Sequence, residues 1–186
     1  MQKIMHPAID RILEKARAGG MPDGAFFIAV DVGNQRAELY RHCEYICSFP
    51  VSTSRFGIGN VMESEQTPLG FHEVVERFGD GLPAGAIFTS RLFAGSILPP
   101  AQWSSGEGDM ILSRILRLGG KEPGRNSGGS CDTYDRFIYF HGTNHEYLVG
   151  VKPSSHGCIR MRNLDIIALY DTVRNDPVWC WIGYPE

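Results

Sequence analysis

The sequence predicts a mainly β fold with a few helices, of the α+β class, and three observations carry that reading. Short runs of β-branched and aromatic residues recur between Gly, Pro, Asn and Asp, beginning with Ala25-Phe-Phe-Ile-Ala-Val-Asp31. Helical spacing of apolar residues is clear at two places, around residue 12 and after residue 163. The chain of 186 residues is 42% hydrophobic and 11% aromatic, enough for one sizeable core, so a single domain over residues 1–186 is expected. It contains no repeat, low-complexity tract or linker.

Within residues 1–20, Ile9, Ile12, Leu13 and Ala16 share one helical face, Pro7 suits a first turn and Gly19-Gly20 is a stop signal, so a scaffold helix is expected there. Strands follow at Ala25–Asp31, Arg36–Tyr40 and Glu44–Ser52, with Val32-Gly-Asn-Gln35 as the hairpin turn between the first two. Ser54–Glu65 lacks periodicity and reads as a loop able to border a cleft. Thr67-Pro68 opens another extended segment, Phe71–Phe78 alternates as a strand, and Gly79–Pro83 turns the chain. Ala86–Ser90 fits a short strand, and Leu98-Pro-Pro100 interrupts any regular element beyond it.

Asp109–Leu118 is apolar on both parities, which leaves strand or buried helix open. Lys121–Asp132 is polar and rich in Gly and Ser, so a mobile surface loop is expected to lead into a strand at Arg136–Phe140. Asn163 is placed to cap a helix reaching Val173, with Leu164, Ile167, Ala168, Tyr170 and Val173 inward. Pro177 ends it, and Val178–Ile182 reads as a closing strand.

Chemistry concentrates between His141 and Met161, where three histidines, a cysteine and an arginine lie among glycines directly after the aromatic run. A free thiol is only about a few per cent ionised near neutral pH, so Cys158 needs a base or a cation beside it. His141, His145 and His156 are candidate bases, and Arg160 is a fixed positive charge. A histidine two residues from the cysteine can hardly bring a ring nitrogen onto the sulfur, whereas a strand-end histidine approaches across the cleft, which favours His141. His156 then orients the loop, and His145 is a surface residue; His6, His42 and His72 need no role. Gly157 has no side chain, so its amide and that of Cys158 can turn toward a developing oxyanion. The placement of Cys158 just before a helix N-terminus would further favour its thiolate. Arg160 has two readings, a salt-bridge partner or a bidentate clamp for a substrate carboxylate. Zinc is the rival chemistry, because His141, His145, His156, Cys158 and Cys131 are ligand types. Two ligands on one helical face would be needed, however, and Gly142-Thr143-Asn144 is a poor helix, so neither metal nor cofactor is expected.

Ser155-His-Gly-Cys-Ile-Arg-Met161, preceded by His141-Gly-Thr-Asn144, resembles the signature of the L,D-transpeptidase catalytic domain, or YkuD, family. Val51-Ser-Thr53 and Thr67-Pro-Leu-Gly70 resemble the family's strand and turn before the substrate cleft. The resemblance covers residues 137–164, the catalytic motif region. It implies a YkuD-like β-sandwich, a cysteine enzyme acting on peptidoglycan stem peptides, Cys158 as nucleophile and His141 as base. Ser155, His156, Gly157, Gly142 and Arg160 would form the pocket and oxyanion site.

The net charge of −3, from 18 basic and 21 acidic residues mixed along the chain, argues against nucleic acid and a membrane surface as partners. The first ten residues contain no apolar run typical of an export signal, and the five cysteines form no CxxC pair, so a cytoplasmic, reduced protein is expected. That setting favours an L,D-carboxypeptidase releasing the terminal D-amino acid of a tetrapeptide stem in muropeptide recycling. The alternatives are L,D-transpeptidation or D-amino acid exchange, and a non-catalytic peptidoglycan-binding module. Oligomeric state is not legible in the sequence.

Overall fold

The aromatic and β-branched runs become the strands of one ten-stranded sheet in the computed structural model, which describes residues 7–185. Expectations for residues 1–6, His6 among them, lie outside the described residues. Helix α1 spans Pro7–Ala18, followed by β1 Phe26–Asp31, β2 Arg36–Arg41, β3 Glu44–Pro50 and β4 Gly70–Phe78. Then come β5 Ala86–Thr89, β6 Leu92–Ile97, β7 Ile111–Gly120, β8 Tyr139–Gly142 and β9 Ile159–Met161, and finally α2 Asn163–Val173 and β10 Val178–Gly183.

The sheet runs β3-β2-β1-β10-β4-β7-β5-β6, and β8 leaves it by pairing with both β7 and β9. Strand β7 is therefore the branch point, pairing with β4, β5 and β8 along its length. Its burial on both faces explains why the apolar residues of Asp109–Leu118 show no single period; the open choice resolves as a strand. The two layers of the expected sandwich meet across the main core. Phe26, Ile28, Leu39, Val74 and Cys180 of the long sheet face Phe140, Ile159 and Met161, with Ile166, Leu169 and Val173 of α2 closing the space. On the other side of β1, α1 lays Ile9, Ile12, Leu13 and Ala16 on Phe27, Ala29, Tyr40 and Trp179, as its helical face predicts.

Several elements depart from the sequence reading. Strand β8 starts at Tyr139, not Arg136, because Phe137 has φ +55° and the Arg136 guanidinium turns away to the carbonyls of Gly59 and Gln66. Strand β6 has no counterpart in the sequence pattern: every one of its residues is exposed, and Gly95 at φ +80° interrupts any alternation. The Lys121–Asp132 segment is not a free excursion. Buried Asn126 donates to Leu69 O and Phe71 O, both at 3.0 Å, and Thr133 N–H donates back to Asn126 O. Helix α2 begins with Asn163 inside it and buries Ile166, Leu169, Tyr170 and Val173, whereas Leu164 and Ala168 face outward. Strand β10 is central, parallel to β1 and antiparallel to β4.

Buried His72 on β4 gives this fold an acid-sensitive point. Its ring nitrogens meet Gly70 O at 3.0 Å and Thr133 Oγ1 at 3.2 Å, and burial pulls its pKa down to about 3. The folded state keeps His72 neutral while the unfolded chain takes up a proton near pH 6.5. Its stability contribution is thus complete above about pH 6.5 and is lost as pH falls toward 3. Urea unfolding at a series of pH values is expected to lose about 3 kcal/mol through His72 between pH 6.5 and 4. The His72→Gln variant should flatten that slope, and an unchanged slope would exclude the assignment.

Candidate active site

Strands β8 and β9 run parallel in a register of Phe140 with Ile159 and His141 with Arg160. Alternation along a strand then sorts the side chains. Ile138, Phe140 and Ile159 enter the main core, whereas Tyr139 and Cys158 belong to a separate cluster with Ile115 and Phe88 on the opposite side. His141 and Arg160 share that second parity, so His141 is the diagonal neighbour of Cys158 across the two strands.

The ring of His141 is buried, with Nδ1 2.7 Å from its neighbour's carbonyl, Gly142 O. A carbonyl only accepts, so Nδ1 carries the hydrogen and Nε2 is left with its lone pair. Burial pulls the His141 pKa down to about 4; the Gly142 bond and Asp109 oppose this, and Arg160 adds to it. Gly142 must be glycine, because a Cβ there would meet Leu112 O at 2.7 Å and collide with Asn163 Oδ1.

Cys158 is half-buried and its thiol lies 3.4 Å from Phe137 O. Burial pushes this thiol up to about 11; the Tyr139 amide, Arg160 and Arg136 act the other way, and Asp109 adds to the rise. Both shifts favour a neutral thiol beside a neutral imidazole in the resting site. The helix end does not help the sulfur, since β9 lies between Cys158 and α2, and dipole effects fade within the first turn. The α2 N-terminus is instead occupied by the Glu146 carboxylate, which accepts from Asn163 N–H at 2.6 Å and from Asn163 Nδ2 at 2.7 Å. Asn163 is therefore not the side-chain cap that the sequence suggested.

The loop before Cys158 is held by hydroxyls. Ser155 donates to Cys158 O at 2.6 Å and accepts from Gly157 N–H at 3.2 Å, while Thr67 Oγ1 donates to Gly157 O at 2.9 Å. Gly157 has φ +123°, in the left-handed region, so a side chain would strain the backbone there. With the Gly157 amide engaged by Ser155, the expected pairing of Gly157 and Cys158 amides at an oxyanion is not formed as such. Ser52 of the Val51-Ser-Thr53 segment exchanges backbone bonds with Arg160 at 2.9 Å in each direction, so both segments singled out upstream meet the catalytic loop.

Arg160 is buried and committed. It donates to Ser154 O and Oγ at 3.0 and 3.1 Å and pairs with Asp109 Oδ2. The salt-bridge reading holds, and the guanidinium is not an open carboxylate clamp. His156 stands at the rim with both ring nitrogens used, Nδ1 on Asp109 Oδ2 at 3.0 Å and Nε2 on the Arg55 guanidinium at 2.6 Å, which leaves no nitrogen for the cysteine. His145 has its Nε2 2.7 Å from Gly108 O.

Asp109 is the site residue that sequence reading missed. One of its oxygens serves both Arg160 and His156; burial pushes its carboxyl up, but the electrostatic effects of Arg160 and His141 and the bonds from His156 and Arg160 hold it below the usual range. Asn144 pins the same loop through Glu107 O at 2.8 Å and the Met110 amide at 3.1 Å. The available signal was an acid closing the Gly106-Glu-Gly-Asp109 turn directly before the apolar segment that becomes β7. Among the described residues no three His, Cys, Asp or Glu side chains converge as a metal would require.

The same fold occurs in solved structures of known proteins. It is similar to an L,D-transpeptidase from Mycobacterium smegmatis, with TM-score 0.52 and 15% identity over 85% of this chain and 58% of that one. It is similar to L,D-transpeptidase 3 from Mycobacterium tuberculosis in complex with a faropenem-derived adduct, with TM-score 0.52 and 14% identity over 86% and 60% of the two chains. Bd1075 of Bdellovibrio bacteriovorus gives TM-score 0.51 and 15% identity over 87% and 48%. The chain thus spans less than two thirds of the length of each. A sequence comparison with curated proteins gives no match. The family described as the L,D-transpeptidase catalytic domain, YkuD, matches residues 25–180, a span that runs from the start of the sheet into β10 and includes His141 and Cys158. The chain belongs to the YkuD L,D-transpeptidase catalytic domain family.

Proposed function

We propose that the protein performs cysteine-dependent acyl transfer on peptidoglycan stem peptides, with Cys158 as nucleophile and His141 as base. The observation that carries this is the fixed tautomer of His141, which presents an unprotonated Nε2 on the face that bears the Cys158 thiol. As the sulfur attacks the carbonyl carbon at the L-centre, the thiol proton passes to His141 Nε2 and the carbonyl π-pair moves to oxygen. The oxyanion collapses, the C–N bond breaks, and His141 returns the proton to the leaving amine of the D-residue, leaving a thioester on Cys158. Burial disfavours charge on both resting partners, and this supports a step in which proton transfer accompanies attack.

Resolution by water is the outcome we propose. Water gives its proton to His141 Nε2 as its oxygen bonds to the thioester carbon; the C–S bond then breaks and His141 returns the proton to the Cys158 sulfur, releasing a tripeptide stem, the D-amino acid having left in the first step. The partial exposure of Cys158 supports access by water, and five unpaired cysteines support a reducing, cytosolic setting of muropeptide turnover. Transfer to an amine is the second reading, favoured by the transpeptidases among the structural neighbours. Incubation with a tetrapeptide stem, with and without a millimolar acceptor amine, followed by mass spectrometry, tests the choice. Tripeptide and D-amino acid are expected in both cases, and a dominant cross-linked or exchanged product would sink the hydrolase reading.

A further inference from the structure

With Arg160 closed by Asp109 and Arg136 bonded to the carbonyls of Gly59 and Gln66, an open cation at the rim of the site lies on the β5–β6 hairpin. Thr89 pairs with Leu92, so Ser90 and Arg91 are the two turn residues, both left-handed at φ +48° and +70°. Such turns favour Asn-Gly, and an arginine there is held in a backbone conformation that costs it free energy. Its side chain reaches back over the site. Nη1 donates to the Tyr139 hydroxyl at 3.0 Å, and the guanidinium lies 4.9 Å from the centre of the exposed Phe137 ring. Both residues border the nucleophile: Tyr139 packs with Cys158, and Phe137 O lies 3.4 Å from the sulfur.

Among the described residues Arg91 has no carboxylate partner. Glu76, the acid in its neighbourhood, is bonded to Arg117 at 2.7 Å. Arg55, on the opposite flank, is tied through His156 to Asp109. A guanidinium has five N–H donors in a planar fork, and the Tyr139 bond uses one. We propose that Arg91 is the specificity-determining residue of this site, binding a carboxylate of the stem peptide beside Cys158. This rests on the stem-peptide reading and deepens it. Two sources share the chemistry: the terminal carboxylate of the leaving D-residue, and a side-chain carboxylate on the acyl side of the attacked bond.

The test measures kcat/KM for wild type, Arg91→Ala and Arg91→Lys on three stems: unmodified, amidated at the C-terminus, and amidated at the acyl-side carboxylate. Wild type is expected to lose about ten- to a hundredfold on one of the two amides, the scale of a charged hydrogen bond, and that amide identifies the carboxylate bound. Arg91→Ala should lose a similar factor on the unmodified stem and no longer distinguish it from that amide. Arg91→Lys, which keeps the charge without the fork, should recover part of the discrimination and shows that the hairpin still folds. Full discrimination in Arg91→Ala, or none in wild type, overturns the assignment while leaving the stem-peptide reading intact. A wild type inert on all three stems overturns that reading and this inference with it.

Discussion

Cys158→Ala is expected to abolish turnover of stem peptides while the melting temperature moves by no more than about 4 °C. The sulfur sits at the edge of the small cluster around Tyr139 and Phe88 and is half-exposed, so its removal takes little packing from the fold. Its chemical loss is complete, since no other thiol lies on the face that His141 Nε2 serves. Cys180 is sealed in the main core, Cys43 and Cys47 pack beside β1 and β2, and Cys131 bonds Gly128 O within its own turn. Intact-mass measurement during turnover should show an acyl adduct on wild type and none on the variant. Substantial residual activity would exclude Cys158 as nucleophile.

His141→Ala is expected to lower kcat by about 10²–10⁴-fold, the range for removing a positioned general base, and His156→Ala by much less. The reverse order would move the base to His156. His141→Gln, which keeps most of the buried volume, separates loss of the base from loss of packing. The pH profile gives an independent reading. Burial holds His141 near 4, so the acid limb of wild-type kcat/KM should fall there and not near the ordinary histidine value. In linkage terms His141 acts in the same sense as His72: the neutral ring belongs to the fold, and stability drains away as pH drops from about 6.5 toward 4.

Much of the fold was legible because local pattern and tertiary role agree in it. The α1 face, β1, β2 and the extended run to Phe78 were readable from period and turn chemistry, since each presents one apolar face to one neighbour. The pattern failed where tertiary contacts set the structure. Strand β6 pairs with β5 but leaves all of its residues exposed, so no periodicity marks it. The inward face of α2 is rotated away from the predicted one because Asn163 is drawn inward by Thr143 O at 2.9 Å and the Ser113 hydroxyl at 2.6 Å. At the site, Cys158, His141 and the hydroxyl-braced loop lie in one motif and could be read together. Asp109 and Arg91 come from loops far off in the chain, and only strand pairing brings them to Arg160 and Tyr139 of the site. The upward pull of burial on the thiol was not legible for the same reason, since burial is a property of the assembled layers.

The position of β10 bears on how the chain reaches this state. Phe26 pairs with Val178 and Ala29 with Trp181, so the middle of the sheet joins segments from opposite ends of the chain. While the protein is being synthesised, β1, β2 and β3 can form a hairpin meander early, but β1 keeps a row of unpaired amides and carbonyls along one side until Val178–Gly183 has left the ribosome. The active-site layer waits as well, because α2 and β9 pack against a core that β10 completes. Such long-range pairing makes for slow, late folding and a period in which the nascent sheet can capture a foreign strand, the interval in which a chaperone is most useful.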